Sequence, residues 1–172
     1  QPPKLYDLTS LQRDGNRLMG YTAQQVLDYA QALYEKKLLT YPRTDSNYLT
    51  EDTAATVPGL VEVAVQSLPF SVEVGPPDVA RVVDGSKVSD HHALLPTMQV
   101  RSDTLAALPA GERNVLTLVI VRLLCAVGEK QVYEDTAAAL ECGGVSFSAR
   151  GRVVTVPGWK AIEQMFLSTL KQ

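Results

Sequence analysis

The chain has 172 residues, of which 45% are hydrophobic and 20% charged, an ordinary composition for a globular protein. No run of about 18 apolar residues occurs, which excludes a membrane-spanning helix. The net charge of −3 argues against a protein that only coats DNA.

The charge is unevenly distributed. Residues 51–112 hold nine acidic and three basic side chains, whereas the first fifty residues hold six basic ones. Those six could form a basic face near Tyr41 or a solvated surface, and the sequence leaves both interpretations open. The six are Lys4, Arg13, Arg17, Lys36, Lys37 and Arg43.

The cysteines indicate the redox compartment, and the first residue indicates whether the chain is part of a longer protein. Cys125 and Cys142 lack a Cys-x-x-Cys spacing, which favours a buried thiol pair in a reducing, cytoplasmic compartment over a disulfide or a zinc site. The chain starts at Gln1 without a methionine or a signal-peptide pattern. We therefore expect a piece of a longer protein.

Two helices are predicted at the start of the chain. Thr9 or Ser10 is expected to cap a helix from Leu11 to Leu18, which Gly20 ends. Residues 22–25 form a capping box for the second helix. That helix carries an apolar stripe of Val26, Leu27, Tyr29, Ala30, Leu33 and Tyr34. Two helices joined by a short turn are typical of a helix-turn-helix unit, although most such pairs only pack together.

The middle of the chain alternates helices with loops. Thr50 begins a helix that Pro58-Gly59 interrupts, and residues 69–87 form a loop with one short strand at 80–83. Ser102 is expected to cap a short helix. The longest helix opens at Pro109 and runs to about Val127.

After Tyr133 the apolar spacing changes to a period of two. Strands are predicted over 136–140, 145–149 and 153–156, with turns at Gly143-Gly144 and Gly151, before a helix over 158–170. We therefore predict an α+β fold of two parts. Residues 1–132 form a helical domain, and residues 133–172 form a β-meander with a C-terminal helix.

The segment from Leu39 to Ser46 carries the most chemistry. A phenol oxygen can attack phosphorus, so Tyr41 is a candidate nucleophile, and a guanidinium such as that of Arg43 can hold a phosphate. Thr40, Thr44 and Asp45 can bond the backbone of the turn. The alternative is a strand with a half-buried tyrosine and a surface arginine.

Two motifs follow one another in the sequence, Tyr-Pro-Arg-Thr-Asp-Ser at residues 41–46 and Asp-His-His-Ala-Leu-Leu-Pro-Thr at residues 90–97. In this order they resemble motifs of type IA DNA topoisomerases, and of the topoisomerase III branch most closely. Further similarity extends from Pro2–Leu8 to Gly158-Trp159, so it covers nearly the whole chain.

The resemblance implies specific roles. Tyr41 would form a transient 5′-phosphotyrosine link to single-stranded DNA without ATP, Arg43 would hold the scissile phosphate, and His91 would add a hydrogen bond. His92 departs from other branches, which carry an acidic residue there. The DNA-binding positions that the resemblance implies are Gln31, Glu35, Thr40, Thr44 and Asp45.

The resemblance also implies parts that this sequence lacks. In the family a separate N-terminal domain binds Mg²⁺ through clustered acidic residues and supplies a lysine, and Asp90 does not replace that cluster. Residues 133–172 would be part of a gate domain. We therefore expect the isolated chain to be inactive.

Two other functions compete with this interpretation. Tyrosine recombinases also use Tyr, Arg and His, but there the tyrosine comes last, whereas here Tyr41 precedes His91. The second alternative is a non-catalytic helix-turn-helix module that binds DNA and in which Tyr41 is structural.

Overall fold

The computed structural model describes residues 1–170 and confirms the α+β fold. These residues form seven α-helices and one two-stranded antiparallel sheet. The helices are α1 Leu8–Met19, α2 Ala23–Glu35, α3 Glu51–Ala54, α4 Val57–Ser67, α5 Ser102–Ala107, α6 Ala110–Ala126 and α7 Trp159–Thr169. Over this range no helix is long and apolar enough to cross a membrane.

The first helix begins earlier than predicted. Asp7, not Thr9 or Ser10, is its N-cap, because the Asp7 carboxylate accepts from the Ser10 backbone N–H at 2.7 Å. The Ser10 hydroxyl in turn accepts from the Asp7 N–H, which completes a capping box. Gly20 ends α1 with φ at 70°, as its missing side chain predicts.

The second helix follows the predicted capping box of Thr22 and Gln25. Its buried stripe is narrower than predicted, since it consists of Val26, Ala30 and Leu33. Tyr34 belongs to the predicted stripe but is 42% exposed. This side chain therefore does something other than fill the core.

The middle segment differs from prediction in three places. The predicted break between two helices falls at residues 55–56, and Pro58 lies in the first turn of α4, where its missing N–H costs nothing. The N-cap of α5 is Arg101 and not Ser102, with no side-chain capping bond. The strand predicted at 80–83 is a 3₁₀ turn, Val79–Val82. Arg81 stabilises this turn by donating to the carbonyl oxygens of Ala126 and Gly128 at the end of α6.

The long helix α6 is the centre of the core and packs against α1, α2, α4, α5 and α7. Its half-buried Arg122 pairs with Asp14 of α1 and lies over the ring of Tyr6. Burial raises the pKa of Tyr6 well above its usual value. Burial opposes ionisation of Asp14, but hydrogen bonds from Tyr6 and Arg17 and the charge of Arg122 outweigh it and hold the Asp14 pKa below its usual value.

The predicted three-stranded meander is a two-stranded hairpin instead. Strand β1, Val132–Cys142, pairs with β2, Val145–Val156, across a turn of Gly143 and Gly144 whose φ angles are 59° and 79°. Two positive φ values are what a tight hairpin turn requires. Gly151 forms no second turn, since it stays in register opposite Thr136.

The hairpin has one apolar face, and its strands are exposed from 132 to 155. Directly paired residues share a face of a sheet, so Leu140 and Phe147 lie on the same side as Val145 and Val153. All four are at least 56% exposed. The opposite face carries the ion pair between Arg152 and Asp135.

Helix α7 returns to the helical core after the hairpin. Trp159, Ile162 and Phe166 are buried there. The predicted domain boundary at residue 132 stays a prediction. In the structure, the hairpin is the part that lies outside the core, since the residues after it return to the core.

The two cysteines lie in different surroundings. Burial raises the pKa of the Cys125 thiol to about 12, but Cys142 is exposed, so the predicted buried thiol pair is wrong.

Candidate active site

The candidate nucleophile follows a tight exit from α2. Lys37 adopts φ of 60°, and the N–H of Leu38 donates to the carbonyl of Leu33 at 2.9 Å. The N–H of Lys37 also bonds the carbonyl of Tyr34. These two bonds define a Schellman motif, normally built with glycine at the position of Lys37. The chain is thereby turned sharply away from the helix axis, toward residues 90–97.

The two motif segments meet directly before Tyr41. Leu39 forms an antiparallel bridge with Pro96. The N–H of Thr40 donates to the carbonyl of Leu95, and the N–H of Leu95 donates back to the Thr40 hydroxyl, both at 3.0 Å. Thr40 therefore uses backbone and side chain together to hold the second motif.

A second tie lies on the other side of Tyr41. The Thr44 hydroxyl donates to the carbonyl of His91 at 2.8 Å and accepts from the N–H of Ser46. The Ser46 hydroxyl donates to the carbonyl of Lys87. Tyr41 thus lies between two threonine ties that fix its position against the second motif.

The phenol ring of Tyr41 has two ring neighbours. The imidazole of His91 is 4.4 Å away between centroids, with the planes tilted by 42°. The ring of Tyr34 is 5.4 Å away and nearly perpendicular, at 79°. Tyr41 is only half-buried, so one edge stays open to solvent. The motifs predicted His91 at this place, but they did not predict Tyr34.

Arg43 lies beyond a turn, not along an extended strand. The N–H of Thr44 bonds the carbonyl of Pro42 at 3.0 Å, a three-residue turn centred on Arg43. The exposed Arg43 lines a surface depression of about 380 Å³ with His91. The other lining residues are Asp7, Leu8, Thr9, Thr44, Asp45, Ser89 and Asp90.

The two histidines line different depressions, as an extended backbone at this position predicts. His92 lines a depression of about 400 Å³ that also includes Thr40 and Met98. Its Nδ1 lies 2.7 Å from the carbonyl oxygen of Ala93. Of the two histidines, His91 is the one whose ring contacts Tyr41.

The other predicted DNA-binding residues are placed as follows. Gln31 Nε2 donates to Glu35 Oε1 at 3.3 Å, so both lie on one face of α2. Asp45 is exposed beside Arg43, whereas Thr44 is buried and its hydroxyl is already bonded. Their contact with DNA stays a prediction.

The predicted basic face is partly neutralised. Lys36 forms an ion pair with Glu112 at 2.5 Å, and Arg17 pairs with Asp14 at 3.0 Å. Lys4 lies over the ring of Tyr48. Among these cations, Arg43 is the one that lines the depression beside His91.

The residues present do not fit a magnesium site. Across residues 1–170, no group of three or more His, Cys, Asp or Glu side chains could hold a metal ion. The carboxylates of Asp7, Asp45 and Asp90 line the same depression as Arg43 without forming such a group.

Residues 1–170 match a family described as DNA topoisomerase. The chain is 40% identical over 167 residues to DNA topoisomerase 3 of Bacillus licheniformis, which covers 93% of this chain and 23% of that protein. It is 38% identical over 170 residues to DNA topoisomerase 3 of Bacillus subtilis, again with 23% of that protein covered.

The fold agrees with these relatives. Full-length topoisomerase I from Thermotoga maritima superposes with a TM-score of 0.65 over 95% of this chain and 27% of that one, at 20% identity. The chain therefore belongs to the type IA DNA topoisomerases, as its motifs indicated. It spans about a quarter of the length of the relatives it matches.

Proposed function

We propose that this chain is the nucleophile-bearing part of a longer topoisomerase, here called the parent protein, which cleaves and reseals single-stranded DNA. The Tyr41 oxygen attacks the scissile phosphorus and loses its proton. A bond from phosphorus to Tyr41 forms as the bond to the 3′ oxygen breaks, and that oxygen takes up a proton. Resealing is the reverse, so the phosphodiester bond energy is kept and no ATP is needed. The parent protein would relax or decatenate DNA between these steps.

The placement of Tyr41 is the observation that supports this proposal best. A phenol must be held with its oxygen toward the phosphate for attack, and orientation of this kind contributes much of an enzyme's rate acceleration. Tyr41 lies between the ties made by Thr40 and Thr44, with its ring against His91.

Arg43 and His91 are proposed to bind the phosphate that Tyr41 attacks. Both line the same depression, and His91 also contacts the Tyr41 ring. A guanidinium can donate two parallel hydrogen bonds to phosphate oxygens. Imidazole can donate a further one. The carboxylates of Asp7, Asp45 and Asp90 line the same depression and repel a phosphate there, so the proposal requires Arg43 to outweigh them.

The remaining parts of the proposal rest on the family. Mg²⁺ would be bound by the N-terminal domain of the parent protein, outside the residues described here, and would supply charge stabilisation during phosphoryl transfer. The setting would be cytoplasmic. Gln31, Glu35, Thr40, Thr44 and Asp45 are proposed to line the path of the DNA strand, and α1 and α2 to act as a helix-turn-helix-like unit.

The direct test is Tyr41→Phe in the parent protein. This change removes the attacking oxygen, so the covalent adduct with labelled single-stranded DNA should fall by on the order of a thousandfold or more, with DNA affinity almost unchanged. Denaturing gels measure the adduct. Tyr133→Phe, the same change on the exposed hairpin, is the matched control. If the unsubstituted parent protein and Tyr133→Phe both bind DNA but yield no adduct, the non-catalytic DNA-binding alternative is correct.

The 172-residue chain by itself is expected to bind single-stranded DNA weakly and to cleave none. No metal-binding cluster occurs in its described residues, and the Tyr41 phenol needs a group that takes up its proton as the oxygen attacks. Binding through a few Lys and Arg contacts should weaken as salt rises. The same gel assay on the isolated chain checks this. A Tyr41-dependent covalent band would contradict it and would direct attention to Asp45 and Asp90.

A further inference from the structure

Tyr34 is an exposed aromatic residue that the core does not require. Its ring is 42% exposed, and it lies in the last turn of a helix whose buried residues are Val26, Ala30 and Leu33. Among the described residues its hydroxyl forms no hydrogen bond with another side chain or with the backbone. Its described ring contact is with Tyr41, at 5.4 Å and 79°.

The geometry of this contact is the one that aromatic pairs prefer. Edge-to-face pairs with centroids about 4.5–7 Å apart are favoured because the positive ring edge meets the negative ring face. Tyr34 and Tyr41 fall within that range. Rotation of Tyr41 about its side-chain bonds would break this contact and the one with His91.

The backbone also keeps the two tyrosines in a fixed relation. The carbonyl of Tyr34 accepts from the N–H of Lys37 in the turn that ends α2. Three residues later, Thr40 is bonded to Leu95 on both its backbone and its hydroxyl. The chain between Tyr34 and Tyr41 is therefore anchored near both ends, so the two rings cannot drift apart independently.

We propose that Tyr34 is a positioning residue, which holds the Tyr41 ring in the orientation that attack on the phosphate requires. This inference rests on the proposed function of Tyr41 as nucleophile. The described contact of Tyr34 is with the ring of Tyr41, so its proposed role is to orient that ring. Its removal should therefore change how often the phenol is correctly oriented and should leave DNA binding unaffected.

The experiment is Tyr34→Leu in the parent protein, with single-turnover cleavage measured at saturating single-stranded DNA and affinity measured separately. The loss of one edge-to-face contact predicts a rate about twofold to tenfold lower, with an unchanged Kd. Tyr34→Phe keeps the ring and removes only a hydroxyl without a described partner. Its cleavage rate should therefore be close to that of the unsubstituted protein. A low rate in Tyr34→Phe would instead show that the hydroxyl takes part in the chemistry.

Tyr29→Leu is the matched structural control. Tyr29 lies on the same helix and forms a similar pair with Tyr21, at 5.3 Å and 68°, but has no ring contact with Tyr41. It should lower the melting temperature and leave the cleavage rate unchanged. An equal rate loss in Tyr29→Leu would mean that general loosening of α2 explains the effect, and the inference would be overturned.

Two further outcomes are distinguishable. If Tyr34→Leu weakens DNA affinity and keeps the saturated cleavage rate, Tyr34 is a stacking platform for a base and not a positioning residue. Tyr41→Phe assayed in parallel separates the two proposals. Cleavage by Tyr41→Phe would overturn the nucleophile assignment itself, whereas inactivity of Tyr41→Phe with full activity of Tyr34→Leu would overturn only the role of Tyr34.

Discussion

The hairpin and the paired segments around Tyr41 are both held by strand-like hydrogen bonds, but they differ in what surrounds those bonds. The hairpin pairs from Val132 to Val156 with one irregularity beside Val132, and its side chains are exposed. The segments around Tyr41 share one isolated bridge, yet Leu39, Thr44 and Leu95 are buried there, and threonine and serine hydroxyls tie the segments together. Regular pairing is thus no measure of how firmly a region is held.

The difference depends on whether the hydrogen-bonded groups are exposed to water or buried. An exposed ladder replaces bonds to water with bonds of similar strength and gains little, whereas a buried hydroxyl tie is costly to break because its partner is left unsatisfied. A functional tyrosine that needs a fixed orientation is therefore better held by a few buried ties than by a long exposed ladder.

The largest expected contrast is in stability after truncation of a leucine. Leu116→Ala in α6 removes a completely buried side chain and should lower the free energy of unfolding by about 3 kcal/mol. Leu140→Ala on the hairpin removes a side chain that is 65% exposed and should cost less than about 0.5 kcal/mol. Urea denaturation of the 172-residue chain measures both. Similar costs would show that the hairpin face is covered in solution.

A second contrast concerns single hydroxyl groups. Thr44→Val removes the buried tie to the carbonyl of His91 and should cost about 1–2 kcal/mol. Thr155→Val removes an exposed bond to the carbonyl of Val132 and should cost less than about 0.5 kcal/mol. Urea denaturation measures both free energies of unfolding. Equal losses of stability in Thr44→Val and Thr155→Val would contradict the distinction between the two regions. In the parent protein, only Thr44→Val should slow DNA cleavage.

The smallest contrast is in the acid dependence of stability. The Asp14 pKa is held below its unfolded value of about 3.9, so its stabilising contribution is complete above that pH and is lost as pH falls through the lower folded pKa. Asp14→Asn should therefore lose less stability than the natural chain between pH of about 5 and about 2. The exposed Asp135, paired with Arg152, should give a weaker change in Asp135→Asn. Denaturation midpoints across this range would contradict the assignment if both variants followed the natural chain.

Local signals explain which elements were predicted correctly. The capping box of Thr22 and Gln25, the left-handed Gly20 and the Gly143-Gly144 turn each involve residues within one turn of chain. The helix α6 was predicted to open at Pro109 and to run to about Val127, and the structure has it from Ala110 to Ala126. Asp7, Thr9 and Ser10 are all residue types that can cap a helix, so composition does not identify the N-cap of α1. The two hydrogen bonds between Asp7 and Ser10 decide for Asp7.

Long-range contacts explain the predictions that failed. Residues 80–83 have strand-like composition, but the bonds of Arg81 to the end of α6 hold them in a 3₁₀ turn. Gly151 was predicted to form a turn, but it pairs with Thr136 of the neighbouring strand and stays within β2. Tyr34 fits an apolar stripe by spacing, but the adjacent exit from α2 directs its ring to Tyr41.

The sequence by itself determined the order of helices, the α+β class and the motif pair that contains Tyr41, Arg43 and His91, because these depend on local spacing and on residue identity. The tertiary structure alone decided which ring faces Tyr41, which hydroxyls tie the two motifs together and which residues share the depression with Arg43. The ties between the two motifs join positions about fifty residues apart, and nothing in the spacing of either segment specifies how the other one packs against it.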